Sequence, residues 1–316
     1  MRRLGVVCLF AVLFSVSLIA HSAVLGKPLL LALNWKPEPQ FGGFYAAEVQ
    51  GFYAENGLDV KIMEGGSGTP TIQMLLAGKV DYAIVSADEV VIALARGGSD
   101  IVALFATYQT NPQGIMTHAD RGFESIDDVM HSQGVLLWQS GLPYAQYFKK
   151  KYAPLNVVTA PYLGGIGNFQ NDPNISQQCF VTSEPLTAEA AGIKVKTFLV
   201  ADSGYNPYTA VMVTQRQRWD SSPAEVRAMV AAVRSGWNDY LQDPGATNAA
   251  MLALNRAMSA ETFAQSAQAQ HALIRTSSTE RIGAMTQARW QTLADQLLEI
   301  NVVGKPVSVG NVFVDL

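Results

Sequence analysis

At 316 residues, 49% of them hydrophobic, the chain is long enough for one large domain or two medium ones. It carries 22 basic and 26 acidic side chains and a net charge of -4 at pH 7, a balance that argues against nucleic acid or an anionic membrane surface as partner. Apart from Cys8 near the start, Cys179 is the sole cysteine, which excludes an intramolecular disulfide in the rest of the chain.

The opening stretch MRRLGVVCLFAVLFSVSLIAHSA places two arginines before an apolar run, with small residues Ala20 and Ser22 at its end. That pattern predicts a secretory signal peptide over residues 1–22, cut after Ser22 or Ala23. An uncleaved anchor is the competing reading, because the run is close to a spanning length. No cysteine follows the run, so a lipoprotein signal is not indicated. The protein is expected in the periplasm, exported with the signal removed.

From Leu29 the pattern is strand, turn, helix, strand. LLLALNW reads as a strand, GGFYAAEVQGFYAENG as a helix with Gly57 just past its end, and LDVKIME as the next strand. GGSGT leads to Pro70 as a first helical residue, with Thr69 placed to cap PTIQMLLAGK. VDYAIVS and IVALFATYQ are further strands, and Ser86 is placed to cap ADEVVIALARGG between them. A second set follows: GVLLWQS, VVTAPY, QQCFVTSEP and VKTFLVADSG as strands, with LPYAQYFKKKYA as a helix and PYTAVMVTQRQ as a returning strand. The remainder is mostly helical. Strands alternating with helices of this length make parallel βαβ units, so the fold class is α/β.

Ligands of open α/β sheets sit beyond the carboxyl ends of the strands. Here those ends are NWKPEPQF, EGGSGTP, SADE and TYQTNP in the first set, and WQSGLPY, YLGGIGN, TSEP and ADSGYNPY in the second. They are rich in Ser, Gly, Asn, Tyr, Trp and Glu and poor in Lys and Arg. Such loops suit a neutral, flat, hydrogen-bonding molecule better than a phosphate or sulfonate.

The stretches LNWKPEPQFGGFYAAEVQGFYAENGLDVKI, GTPTIQMLLAGKVDYAIVSADEVVIALARG and VTSEP resemble the ABC-transporter substrate-binding proteins that take thiamine pyrimidine precursors. That group is related to nitrate and sulfonate binders and to the fungal thiamine pyrimidine synthase. The resemblance implies a type II periplasmic binding protein fold, two α/β lobes with a ligand cleft between them. It implies crossovers near 110–113 and 206–209, so that 23–111 with 208–316 form the first lobe and 112–207 the second.

By the same resemblance Asn34 and Trp35 approach the ligand, the amide by hydrogen bonding and the indole by stacking. Pro37 and Pro39 favour a rigid loop there over a core position for Trp35. Phe41, Phe44 and Tyr45 are at helical spacing, where an aromatic is more often core; of these Phe41 and Tyr45 are carried as cleft candidates. Ser67 and Thr69 offer donors from GGSGTP, which lacks the Lys of a nucleotide-binding loop. Ser86 and Asp88 stand at a helix start, where a capping role already explains them. Glu184, in TSEP, is the acceptor expected to face an aminopyrimidine edge. Trp138, Tyr144, Tyr162 and Tyr205 are candidates for an aromatic clamp.

Cys179 reads as a buried small hydrophobe, and His21, His118, His131 and His271 lack ligand spacing, so no metal and no cofactor are expected. The function implied is non-enzymatic: a monomer that captures a small molecule, a hydroxymethyl- or formylamino-pyrimidine or similar flat heterocycle, for an ABC permease. Competing readings are a nitrate or sulfonate binder, which would want a basic residue in the cleft, and a synthase-like enzyme, which would want a cysteine-rich iron motif. A third is a periplasmic sensor without a permease.

Overall fold

The structure, a computed structural model, describes residues 27–97, 100–277 and 281–316. The predicted signal peptide lies outside the described residues. Ten strands form two five-stranded sheets: β1 (Leu29–Ala32), β2 (Val60–Met63), β3 (Tyr82–Val85), β4 (Ile101–Tyr108), β5 (Gln113–His118), β6 (Val135–Trp138), β7 (Val158–Pro161), β8 (Ile175–Phe180), β9 (Val195–Leu199) and β10 (Thr209–Gln215). The first sheet has the order β2-β1-β3-β10-β4 and the second β7-β6-β8-β5-β9.

Each sheet holds parallel strands and one antiparallel insert. β1 pairs in parallel with β2 and β3, and β10 returns antiparallel between β3 and β4. In the second sheet β6 is parallel to β7 and β8, while β5 runs antiparallel between β8 and β9. The chain therefore passes between sheets twice, through 109–112 after β4 and through 200–208 before β10.

All eight residues of β4 are buried although the strand ends its sheet. The C-terminal segment covers that edge: Ala103 N donates to Val312 O at 2.8 Å, and Val314 N donates to Ala103 O at 3.1 Å. An edge that would otherwise template pairing with another chain is closed.

The helix Gly42–Val49 packs against the long helix Pro223–Gln242 with no room for side chains at the contact. A Cβ on Gly43 would lie 2.1 Å from the Trp237 ring, one on Gly42 2.1 Å from the Tyr240 ring, and one on Gly236 2.1 Å from Gly43 O. The Gly-Gly pair thus seats the segment after β1 on the C-terminal helices.

Several sequence expectations are corrected. The single helix expected from Gly42, with Gly57 just past its end, is two, broken at Gly51 (φ +81°), which caps Phe52–Glu55. Pro70 precedes the helix Thr71–Leu76 rather than starting it, and the Thr69 hydroxyl accepts from Gly66 N at 2.8 Å instead of capping. β5, QGIMTH, is absent from the expected strands because its polar ends and Gly114 hide the pattern. The expectation of parallel units omits the antiparallel inserts β5 and β10.

Candidate ligand cleft

A cavity of about 490 Å³ opens where the carboxyl ends of β1, β3, β6 and β8 converge with the two inter-sheet segments. From the first sheet's side come Asn34, Trp35, Glu38 and Phe41 after β1, Gly68 and Thr69 after β2, and Ser86 and Asp88 after β3. From the second come Gln139 and Tyr144 after β6, Tyr162 after β7, and Gln178 and Glu184 on and after β8; Asn111 and Tyr205 come from the inter-sheet segments.

The Pro-rich turn is fixed from behind. Asn255 Nδ2 donates to Pro37 O at 3.0 Å and Gln270 Nε2 to Pro39 O at 3.0 Å, both buried. Gln270 Oε1 accepts in turn from Tyr108 OH at 2.7 Å. The loop cannot hydrogen-bond through proline nitrogens, so its carbonyls are held by side chains of the C-terminal helices. Trp35 is half-buried, and its indole Nε1 donates to Glu38 Oε1 at 3.2 Å.

On the opposite wall Glu184 starts the helix Glu184–Ala190, whose first turn contains Pro185. Its Oε1 accepts from Tyr162 OH at 2.8 Å and its Oε2 from Phe180 N at 2.8 Å. Burial pushes the Glu184 carboxyl up, and these two donors oppose the shift. Gln178 is oriented by Tyr144 OH (2.8 Å) and Gln139 N (2.6 Å), both onto Oε1, while its Nε2 donates to Gln139 Oε1 at 2.9 Å.

At the cleft floor Ser86 and Glu89 form a reciprocal capping box. Asp88, in the same first turn, accepts from Tyr205 OH. Burial raises Asp88 to about 6, against the lowering effect of that hydroxyl. Glu38 is raised to about 7, first by burial and then by the negative charge of Glu184.

The wall is therefore acidic and aromatic. Glu38, Asp88, Glu89 and Glu184 line it, and among the described residues that line it there is no Lys, Arg or His. Lys36, on the same turn as Glu38, is exposed and lies outside the lining.

Of the residues singled out from sequence, the cavity brings together Asn34, Trp35, Phe41, Thr69, Ser86, Asp88, Tyr144, Tyr162, Glu184 and Tyr205. Three are placed elsewhere. Tyr45 is 3% exposed and belongs to the core cluster that also holds Phe44 and Trp237, because its helix is buried throughout from Gly42 to Ala47. Trp138, 1% exposed, packs in the core with Tyr144 at its edge, 6.3 Å between ring centroids. Ser67 is exposed, and its neighbours Gly68 and Thr69 reach the wall instead. Sequence reasoning passed over Glu38, Gln139 and Gln178. The signal for Glu38 in the sequence is a carboxylate between two prolines, Pro37 and Pro39.

The family described as NMT1/THI5 like matches residues 38–140 and 175–247, which carry most of both cleft walls. The chain belongs to this NMT1/THI5-like family. A formylaminopyrimidine-binding protein from Halalkalibacterium halodurans is 21% identical over 75% of this chain and 74% of its own. The 4-amino-5-hydroxymethyl-2-methylpyrimidine phosphate synthases of Saccharomyces cerevisiae, THI11 among them, are 32% identical over 65 residues; this chain spans 19% of their length. Among solved structures, the periplasmic aliphatic sulphonate binding protein of Escherichia coli superposes with a TM-score of 0.70 at 14% identity, covering 92% of this chain and 94% of that one. A Candida albicans protein with the generic periplasmic binding protein fold gives 0.62 at 17% identity, over 91% and 96%. The family member described here thus has the periplasmic binding protein fold, two α/β lobes around a cleft, as the sequence resemblance implied.

Proposed function

We propose that this NMT1/THI5-like protein is an exported solute-binding protein that holds a thiamine pyrimidine precursor, a hydroxymethyl- or formylamino-pyrimidine or similar flat heterocycle, for an ABC permease. The observation that carries the reading is the cleft wall: aromatic side chains Trp35 and Tyr162, amides of Asn34 and Gln178, and carboxyl groups on both sides with no basic side chain among them. A flat ring bearing N–H donors satisfies such a wall, whereas nitrate or a sulfonate would meet carboxylates with nothing to neutralise it. The likeness to the formylaminopyrimidine-binding protein supports the same choice.

Capture is noncovalent, and the coupled event is closure of the lobes on the ligand, which presents one conformation of a monomer to the permease. The synthase-like enzyme reading would want a cysteine-rich iron motif, and after Cys8 the chain has Cys179 alone, so we do not favour it.

Calorimetry of the mature protein tests the reading: hydroxymethyl-aminopyrimidine or its formylamino counterpart binds with one-to-one stoichiometry and quenches tryptophan fluorescence, and Trp35→Ala weakens both effects. Heat with taurine or nitrate and none with the pyrimidines would transfer the protein to the anion binders.

A further inference from the structure

The two walls of the cleft are also joined behind it, by side chains that do not line the cavity. Tyr108 is the last residue of β4 and fully buried, and its hydroxyl donates to Gln270 Oε1 at 2.7 Å. Gln270, fully buried as well, donates from Nε2 to Pro39 O at 3.0 Å, on the turn that carries Trp35, Glu38 and Phe41. From the second lobe the Thr182 hydroxyl is hydrogen-bonded to the Tyr108 phenol, opposing the rise that burial and the charge of Glu38 impose on it. Thr182 is itself buried and stands two residues before Glu184. The chain Thr182, Tyr108, Gln270, Pro39 thus runs from one lobe to the other.

The helix Ala260–Ala269, which ends just before Gln270, backs both walls. It packs against the helix Glu184–Ala190 on one side and against the short turn Pro39–Phe41 on the other. Apolar packing is non-directional and tolerates sliding. A buried polar chain is directional, and removing one member leaves its neighbour unsatisfied. Such a chain therefore favours one separation of the groups at its two ends.

We infer that Thr182, Tyr108 and Gln270 are positioning residues, a buried strut that sets how far the Pro turn of the first lobe stands from the Glu184 segment of the second. The segments 109–112 and 200–208 tether the lobes, and the strut selects among the angles they allow. Opening of the cleft is governed from behind the ligand as well as by the ligand. The role in capture rests on the reading of the cavity as a ligand cleft, whichever molecule fills it.

Nitroxide labels on Ser67→Cys and Leu163→Cys in the mature protein follow the opening. Both positions are exposed, and they lie after β2 and β7, the strands at the sheet edges away from β4, β5, β9 and β10, between which the chain crosses. Cys179 is buried and takes no label. Pulsed electron resonance without ligand is expected to give longer and broader label distances in Tyr108→Phe and in Thr182→Val than in the labelled parent, and the double variant is expected to go no further than either alone. Tyr53→Phe removes another buried tyrosine hydrogen bond of the first lobe, to Phe44 O at 3.2 Å, and should leave the distances unchanged. Thr182→Val against the parent carries the test by itself if Tyr108→Phe does not fold. Longer distances in these variants from a protein that binds no pyrimidine keep the strut and sink the pyrimidine-precursor reading. Unchanged distances in folded Tyr108→Phe and Thr182→Val overturn the strut even where a pyrimidine binds, as do additive shifts in the double variant or an equal shift in Tyr53→Phe.

Discussion

Tyr162 and Glu184 are joined by a 2.8 Å hydrogen bond that ties the end of β7 to the helix beginning at Glu184. The bond fixes one oxygen of the carboxyl while Phe180 N fixes the other, so the free lone pairs have a defined direction into the cleft. A recognition group held this way has lost its rotamer freedom before the ligand arrives, and the binding step need not supply that ordering.

Tyr162→Phe removes the hydroxyl and keeps the ring. Ligand affinity is expected to fall by about 0.5–1.5 kcal/mol, the worth of a neutral hydrogen bond, and Glu184→Gln by about 1–3 kcal/mol, because a buried acceptor for the ligand is lost. Calorimetry measures both. Wild-type affinity in each variant would remove Glu184 from the recognition set.

The contact between Gly43 and Trp237 makes a stability prediction that is separate from the ligand. A methyl at Gly43 would stand 2.1 Å from the indole, in the middle of a packed helix pair. Gly43→Ala should destabilise the protein by about 1–3 kcal/mol, as overpacking does. Gly66→Ala, where an added Cβ meets nothing within 4 Å, is the control and should be nearly neutral. Urea unfolding of the two variants decides, and an equal effect would mean that the helix pair separates at little cost.

These two glycines also show what is legible in sequence. GGFYAAE and GGSGTP look alike as glycine-rich turns, yet the first serves a helix contact some 190 residues away in sequence, between Gly43 and Trp237, and local pattern carries no trace of it. Strands such as VDYAIVS are readable because short apolar runs end in turn residues, whereas β5 is hidden by Gln113, Gly114 and His118. Gly114 is there because a Cβ would come within 2.9 Å of Phe198 O on the neighbouring strand. At the end of β6 the reading misses by one residue: alternation turns Trp138 into the core and Gln139 toward the cavity. Asn34 and Glu184 are legible because the family motif includes them, and Gln178 is not, since a glutamine inside a strand gives no hint of which face it serves.

The carboxyl groups of the cleft predict a pH dependence of stability with a definite sign. Glu38 moves from 4.5 to about 7 on folding, with burial the larger cause and Glu184 the second. The folded state therefore holds this proton to higher pH than the unfolded chain does, and stability falls as pH rises from about 4.5 through 7, levelling above. Asp88, raised from 3.8 to about 6, adds a loss of the same sign over its own interval. Glu38→Gln should flatten its share, so that the variant gains on wild type more at about pH 8 than at about pH 5. Urea unfolding at the two pH values measures this, and a variant that gains equally at both would show that Glu38 keeps an ordinary carboxyl in the fold.

Arg289 holds the segment that passes between the sheets before β10, and Asn206 ties that segment to the other. Its Nε donates to Asn206 O at 3.0 Å and its Nη2 to Asn206 Oδ1 at 3.1 Å, while the guanidinium lies 3.9 Å from the centre of the Tyr208 ring. Asn206 Oδ1 accepts also from Asn111 N at 2.9 Å, so Arg289 on the helix Gln287–Glu299 acts on 200–208 directly and on 109–112 through Asn206. If the lobes close by bending at these segments, Arg289→Lys alters closure without touching the ligand, because lysine keeps the charge but gives up the planar fork and the stacking face. The expected result is a loss of about 1–3 kcal/mol in stability and a several-fold weaker ligand affinity expressed in faster release. Small-angle scattering should find the ligand-free variant more expanded than wild type, with the two converging at saturating ligand. Unchanged release rates and identical scattering in the absence of ligand would mean that the bending points lie outside these two segments.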